Sequence, residues 1–393
     1  MEAASLQGLM EDRLIELSGI PEKEISEHKL EFLLEDEYIV PEGIFLYQQE
    51  IDEYTQAAKE MYDIMIDQLA KIVRERDFNY FGFPPAAVDL IIKSFEDADL
   101  HLLGRFDFAG GITDLPIKLL EFNADMPTMI PETVIIQDGF NSLLPTRPYN
   151  DLFNLLSASF NNLNIKTQGA SLLGTTFGHQ EDRSNVEVLL TIAEQEGIEV
   201  NYADFPAIEF APNEGIYVEV NEDEFLKYDI LLKLIPWEYI VFEEPDLLDD
   251  LHNLVTQDLL KIINPAYSLV FQSKKFLAKL SEQYHSNILL KTTLDSSDFK
   301  SRKYVEKVVF GRLGENIRII DENAQVIEST SGDFGEYDRI YQEFAELYKD
   351  DYGEYYQPGI YLVNGNPAAL SFRRGEGLII NDDCQFIPHC VKL

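Results

Sequence analysis

The apolar residues change period at Leu102, which confines the chain to a helical part followed by a sheet-bearing part. Upstream, "EIDEYTQAAKEMYDIMIDQLAKIVRERD" sets Ile51, Tyr54, Ala58, Met61, Ile64, Met65, Leu69 and Ile72 on one helical stripe. "FPPAAVDLIIKSFED" predicts a shorter helix with prolines at its start. Downstream, "LLGRFDFA" and "IKLLEFNA" are strand-like runs joined by the turn-rich "GGITDLP", which predicts an antiparallel pair. Residues two apart on a strand share a face. Arg105 therefore lies with Asp107, and Glu121 with Asn123, and pairing can gather a guanidinium, two carboxylates and an amide oxygen. Hard cations such as Mg²⁺ take oxygen ligands of this kind, with water and phosphate completing the shell. The arginine can stabilise charge that develops in phosphoryl or acyl transfer. An Arg–Asp and Glu–Asn ladder on a wet sheet face accounts for the same spacing.

The remaining segments alternate. "PETVIIQDGFNSLL" reads as helical after Pro131, and "SNVEVLLTIAEQEGIEVNYADF" as helix, glycine stop and strand. Strands follow at "IYVEV" and "YDILLKLIPW", residues Leu247 to Lys279 read as largely helical, and the chain is β-rich from Asn287 onward. The expected fold class is α+β. At 393 residues there is room for two or three structural units. Four segments are expected: a helical region 1–100, the strand pair in 101–150, an α/β subdomain over 151–255, and a β-rich region 256–393.

Seventy-one acidic against 31 basic residues leave a formal charge of −40, which repels phosphate backbones and argues against nucleic acid as a partner. The same surface attracts cations, polyamines and metals among them, although solubility alone accounts for it. No apolar run approaches the roughly 18 residues of a membrane span. The N-terminus lacks the basic and apolar regions of a signal peptide. Cys384 and Cys390 form neither a disulfide framework nor a zinc signature, and the six His show no HExxH pattern. A cytoplasmic protein is expected.

Further stretches can carry chemistry. "EKVVFGRLGENIRI" runs a strand bearing Lys307 into a short loop with Gly311 and Gly314, whose backbone N–H groups can face a phosphate. An ordinary hairpin explains the same two glycines. "QSKKFLAKL" begins with Lys274 and Lys275, which equally suit the surface of a helix. "RIYQEFAEL" puts Tyr341 and Gln342 at a strand end, where a hinge can face a purine. "LSFRRGEGLIINDDCQFIPHCV" puts Arg373 and Arg374 at another strand end, suited to phosphate or carboxylate, or simply exposed.

Taken in order, "GRFDFAGGITDLPIKLLEFNADMPTMIPETVIIQ", "LLKLIPWEYI", "INPAYSLVFQSKKFLAKL", "FGRLGENI", "RIYQEF" and "FRRGEGLIINDDCQFIPH" resemble the synthetase part of the glutathionylspermidine synthase family, an ATP-grasp ligase, from about Leu102 to the end. "RFDF" followed by "LLEFNADMPT" is the specific match; the later blocks are looser. The resemblance implies that ATP phosphorylates a carboxylate of a small peptide-like substrate and that an amine, such as a polyamine, attacks the acyl phosphate. It implies Mg²⁺ held by Asp107, Glu121 and Asn123. Arg105 would meet the transferring group and the oxyanion. Lys275, Lys307 and Arg373 would hold ATP phosphates under the Gly311–Gly314 loop, with Gln342 at the adenine.

The early Glu-x-Asn pair implies a permuted ATP-grasp in which both ends of the chain share one site. In it, 151–255 would be the pre-ATP-grasp-like part and 256–393 the nucleotide-binding part. The chain departs from the family at Met126, where a small residue is usual, at Val308, where a proline often follows the lysine, and at "RRG" in place of a "RED"-type motif. No cysteine suits the nucleophile of the family's amidase domain, so hydrolysis of the conjugate is not expected. The alternative is a catalytically silent relative that binds nucleotide or peptide.

Overall fold

A computed structural model describes residues 13–221 and 224–392 of the chain. The predicted stripe forms the helix Gln48–Glu75, whose buried face includes Ile51, Tyr54, Ala58, Met61, Met65, Leu69 and Ile72. Ile64 falls at the edge of that face and is half-buried, while Tyr62 faces the core. Arg76 ends the helix in the left-handed region, at φ +55. The second helix, Pro85–Glu96, opens on proline, whose missing N–H would have lacked a helical partner anyway.

The first 100 residues also hold strands that the helical reading omits. Leu14–Glu16 and Glu42–Tyr47 pair antiparallel, and the latter runs parallel to His389–Lys392, with Ile44 opposite His389. That partner comes from the far end of the chain, so no local pattern announces it. The strand Lys261–Ile263 likewise interrupts the stretch read as helical. A short apolar run buried among neighbours has no period to distinguish strand from helix.

Three sheets frame the site. The first is antiparallel, in the order Gln385–Ile387, Asn366–Gly375, Tyr355–Val363, Leu103–Ala109, Lys118–Asn123, with Tyr348–Lys349 beside Tyr355–Val363. Early and late segments thus share one sheet. The expected pair forms, with Arg105 opposite Asn123 and Asp107 opposite Glu121. On its other face Phe106 and Phe122 pack with ring centroids 4.1 Å apart, with Tyr62 of the long helix against Phe122 and Tyr54 against Phe108. The turn joining the pair requires glycine: Gly111 has φ +81, and a Cβ there would lie 2.3 Å from the Tyr54 ring.

The second sheet is parallel, in the order Lys261–Ile263, Ile230–Lys233, Leu172–Thr176, Val200–Asp204. Leu156 and Phe160 of the helix Leu152–Thr167, with Val186 and Leu189 of Gln180–Gln195, belong to its core. Gly197, at φ +81, makes the expected stop between that second helix and Val200–Asp204. The third sheet is antiparallel, in the order Thr292–Thr293, Arg339–Glu343, Tyr304–Val308, Arg318–Ile320, Val326–Ser329. No helix among the described residues is long and apolar enough to cross a membrane.

Candidate functional site

Where the three sheets meet there is a cavity of about 330 Å³. Arg105, Asp107, Glu121, Asn123 and Arg373 reach it from the first sheet, and Lys307 with the Gly311–Glu315 loop from the third. Leu234, Pro236, Glu238, Glu181 and Asp182 reach it from the carboxyl-terminal edge of the parallel sheet. That edge is where open α/β sheets present their ligand crevices.

Asp107 is the hub. Arg105 Nε and Nη2 donate to its two oxygens at 2.6 and 3.1 Å, Arg373 Nη2 donates at 3.0 Å, and Asn123 Nδ2 at 3.1 Å. Arg105 Nη1 also donates to the Thr128 carbonyl at 3.0 Å. Burial works against the charge on Arg105, but Asp107 more than compensates and keeps it protonated. Gly359 makes room for this arginine, since a Cβ there would come within 2.9 Å of Arg105 Cδ.

Glu121 is surrounded by cations. Lys274 Nζ lies 3.2 Å from Glu121 Oε2 and donates to the Gly311 carbonyl at 2.9 Å. Burial by itself would raise the Glu121 carboxyl, yet Lys274, Lys307 and Arg373 together hold it down at about 2. Burial lowers Lys307 to about 8, against the attraction of Glu121. A bulge contributes here. The ladder passes from Asp107–Glu121 to Phe108–Leu119, skipping Leu120, whose carbonyl accepts from Lys307 Nζ at 3.3 Å.

The donor set suits a divalent cation that arrives with phosphates. Two carboxylates and an amide stand on adjacent strands, and no cluster of three or more His, Cys, Asp or Glu with metal-holding geometry occurs among the described residues. Mg²⁺ binds in this way, through one or two carboxylates with substrate phosphates and water, rather than in an all-protein cage.

Two expected site residues lie outside the cavity lining. Lys275 does not line the cavity; its Nζ pairs with Asp338 at 2.8 Å, and Lys274 is the lysine that faces inward. Neighbouring helical residues lie about 100° apart, so only one of a Lys-Lys pair can point into the site. Gln342 is also away from the cavity, with Nε2 3.4 Å from Thr292 Oγ1 in the ladder between two strands. The wall near it is made by Phe344, Ala345 and Leu347 instead. Gly311 and Gly314 do line the cavity, and Gly314 has φ +70 with a would-be Cβ only 2.6 Å from the Ile380 carbonyl.

Sequence reasoning missed the clamp behind the Asn123 strand end. Gln272 Oε1 accepts from Ala124 N at 3.0 Å, and Lys233 Nζ meets both Asp125 oxygens at 3.0 and 3.1 Å. Asp125 Oδ2 also accepts from Trp237 N at 2.6 Å. The only local signal was a lysine inside the apolar run "ILLKLI". Met126 has φ +63, a conformation that favours glycine.

The architecture defines a fold class. Over 89% of each chain it aligns with the apo structure of a glutathione synthetase-like effector, GSS30, from Globodera pallida, with a TM-score of 0.53 and 9% identity. The chain belongs to the glutathionylspermidine synthase preATP-grasp family, whose model matches residues 17–392. It is 25% identical over 86% of its length, and 87% of the relative's, to a Haemophilus influenzae protein with a provisional acid–amine ligase name. It is 22% identical over 85% of its length to trypanothione synthetase of Crithidia fasciculata, spanning 54% of that protein. A segment covering 32% of the chain is 30% identical to the bifunctional glutathionylspermidine synthetase/amidase of Escherichia coli, spanning 21% of it.

Proposed function

We propose that the chain is an ATP-dependent ligase that joins a carboxylate to an amine through an acyl phosphate, releasing ADP and phosphate. The observation that carries this reading is the convergence of Arg105, Asp107, Glu121, Asn123, Lys274, Lys307 and Arg373 on one cavity at the seam of three sheets. Amide formation from a free carboxylate needs an activated carbonyl and a site that excludes water. Its catalysis is positioning and charge neutralisation, with no side-chain nucleophile. Both cysteines are buried and free, in keeping with that.

Lys274, Lys307 and Arg373 bind the nucleotide phosphates beneath the Gly311–Gly314 loop. The adenine lies against Val305, Ile319, Leu347 and Ile380, the apolar part of the wall. Arg105 orients the carboxylate and stabilises the oxyanion. Asp107, Glu121 and Asn123 would hold Mg²⁺, which would supply neutralisation of the phosphates' negative charge. In this reading the chain is a permuted ATP-grasp, with 101–150 and 256–393 sharing the site and 151–255 supplying the substrate side. The substrates are a small peptide-like acid and an amine, with glutathione and polyamines the first candidates because the E. coli relative is named for them.

The test is ADP release by the purified protein with Mg-ATP across panels of peptides and amines. Release dependent on both partners is expected. ATP binding with no release across the panel would replace the ligase by a silent binding protein. Glu121→Ala should abolish turnover with the thermal transition retained, since the side chain stands at a strand end and is 23% exposed. Full activity in that variant would remove Glu121 from the metal site.

A further inference from the structure

We infer that Glu238 receives the ammonium group of the acceptor amine and takes its proton before attack; this rests on the ligase reading. Glu238 begins just beyond the end of the parallel strand Ile230–Lys233, in the turn of helix Trp237–Phe242. It lines the cavity beside Leu234, Pro236 and Phe177, yet its side chain is only 3% exposed. Arg312 Nη2 donates to Oε1 at 2.6 Å. Oε2 is buried and has no hydrogen-bond partner among the described residues.

A carboxylate oxygen enclosed without a donor carries its full desolvation cost until a donor reaches it. What would complete it is an N–H group, best a cationic one. Arg312 lies in the loop between Gly311 and Gly314, so the partner already present belongs to the phosphate side of the cavity. Glu238 thus stands between that loop and the wall that the parallel sheet supplies. The other charged or titratable groups that act on it are Asp125, Lys233 and Tyr337. Burial raises its carboxyl above the usual range, with Arg312 opposing and Asp125 adding to the rise, as suits a group that must accept a proton.

The step balances as follows. The bound R–NH₃⁺ gives one proton to Glu238 Oε2 and becomes R–NH₂. Its lone pair attacks the acyl-phosphate carbonyl carbon, the C–N bond forms and the C–O bond to phosphorus breaks. The second nitrogen proton leaves with the departing phosphate, and Glu238 returns its proton to solvent when the amide dissociates.

Hydroxylamine separates this role from a structural one. It is small and neutral at neutral pH, so it intercepts an acyl phosphate without an ammonium site or a base. Wild type and Glu238→Gln are compared with Mg-ATP and glutathione, using spermidine or hydroxylamine as nucleophile; if the substrate screen finds a better acid and amine, that pair replaces them. The variant should form hydroxamate within about threefold of wild type and lose amide formation by about 100-fold or more. Glu238→Asp should recover part of the amide rate. Equal loss of both products, or retention of both, would overturn the assignment. Failure of the ligase reading itself looks different: wild type then yields no hydroxamate from any acid tested.

Discussion

Glu132 is closed off from solvent behind the site, with Tyr38 Oη donating to Oε1 at 2.9 Å. Burial lifts its carboxyl to about 7, well above that of an unfolded-state glutamate. The folded chain therefore holds more protons than the unfolded one between about pH 4.5 and 7. The contribution to stability is complete below that window and is lost as the pH rises through it. Glu132→Gln keeps an acceptor for Tyr38 and removes the titration. Its stability relative to wild type should grow from pH 4.5 to pH 7 by on the order of 2 kcal/mol in denaturant unfolding. A difference that stays flat with pH would mean the carboxyl is not perturbed. At this scale residue type was legible in the sequence and environment was not. Glu121 and Glu132 are the same residue, yet cations hold one at about 2 and enclosure lifts the other to about 7.

Elements decide which of two adjacent side chains reaches the site. The helix Lys274–Gln283 points Lys274 at Glu121 and the Gly311 carbonyl, and Lys275 at Asp338 on the surface. Lys274→Ala should lower kcat/KM for ATP by about tenfold or more, whereas Lys275→Ala should change it less than about twofold. Equal effects would reopen the choice. The antiparallel pair was legible because period and turn lie within one short stretch, and its register follows from alternation. The bulge at Leu120 was not, since it arises from pairing rather than from composition. The helix phase at Lys274 was not either, because it depends on the helix starting at Lys274, just after the extended Ser273.

Across the whole molecule, the parallel sheet is tied to the Asn123 strand end by Lys233 and Asp125, each with a side chain 1% exposed. Removing one partner leaves a bare buried charge, so Lys233→Met should destabilise the protein by about 3–5 kcal/mol. Lys233→Met combined with Asp125→Leu should recover most of the thermal shift and not the kcat, because the double variant no longer aligns the two sides of the cavity. Recovery of both would reduce the pair to packing.

The sequence by itself determined the period change at Leu102, the Arg105–Asp107 and Glu121–Asn123 faces, and the family whose ordered blocks they share. These are local facts of spacing, and spacing on a strand fixes which side chains are neighbours. Only the tertiary structure decided that Ile44 lies against His389, that Lys274 rather than Lys275 turns inward, and that Glu238 is enclosed with one oxygen unpartnered among the described residues. Those depend on contacts between residues far apart in the chain, and the enclosure that sets their charge and hydrogen bonding exists only once the sheets have closed around the cavity.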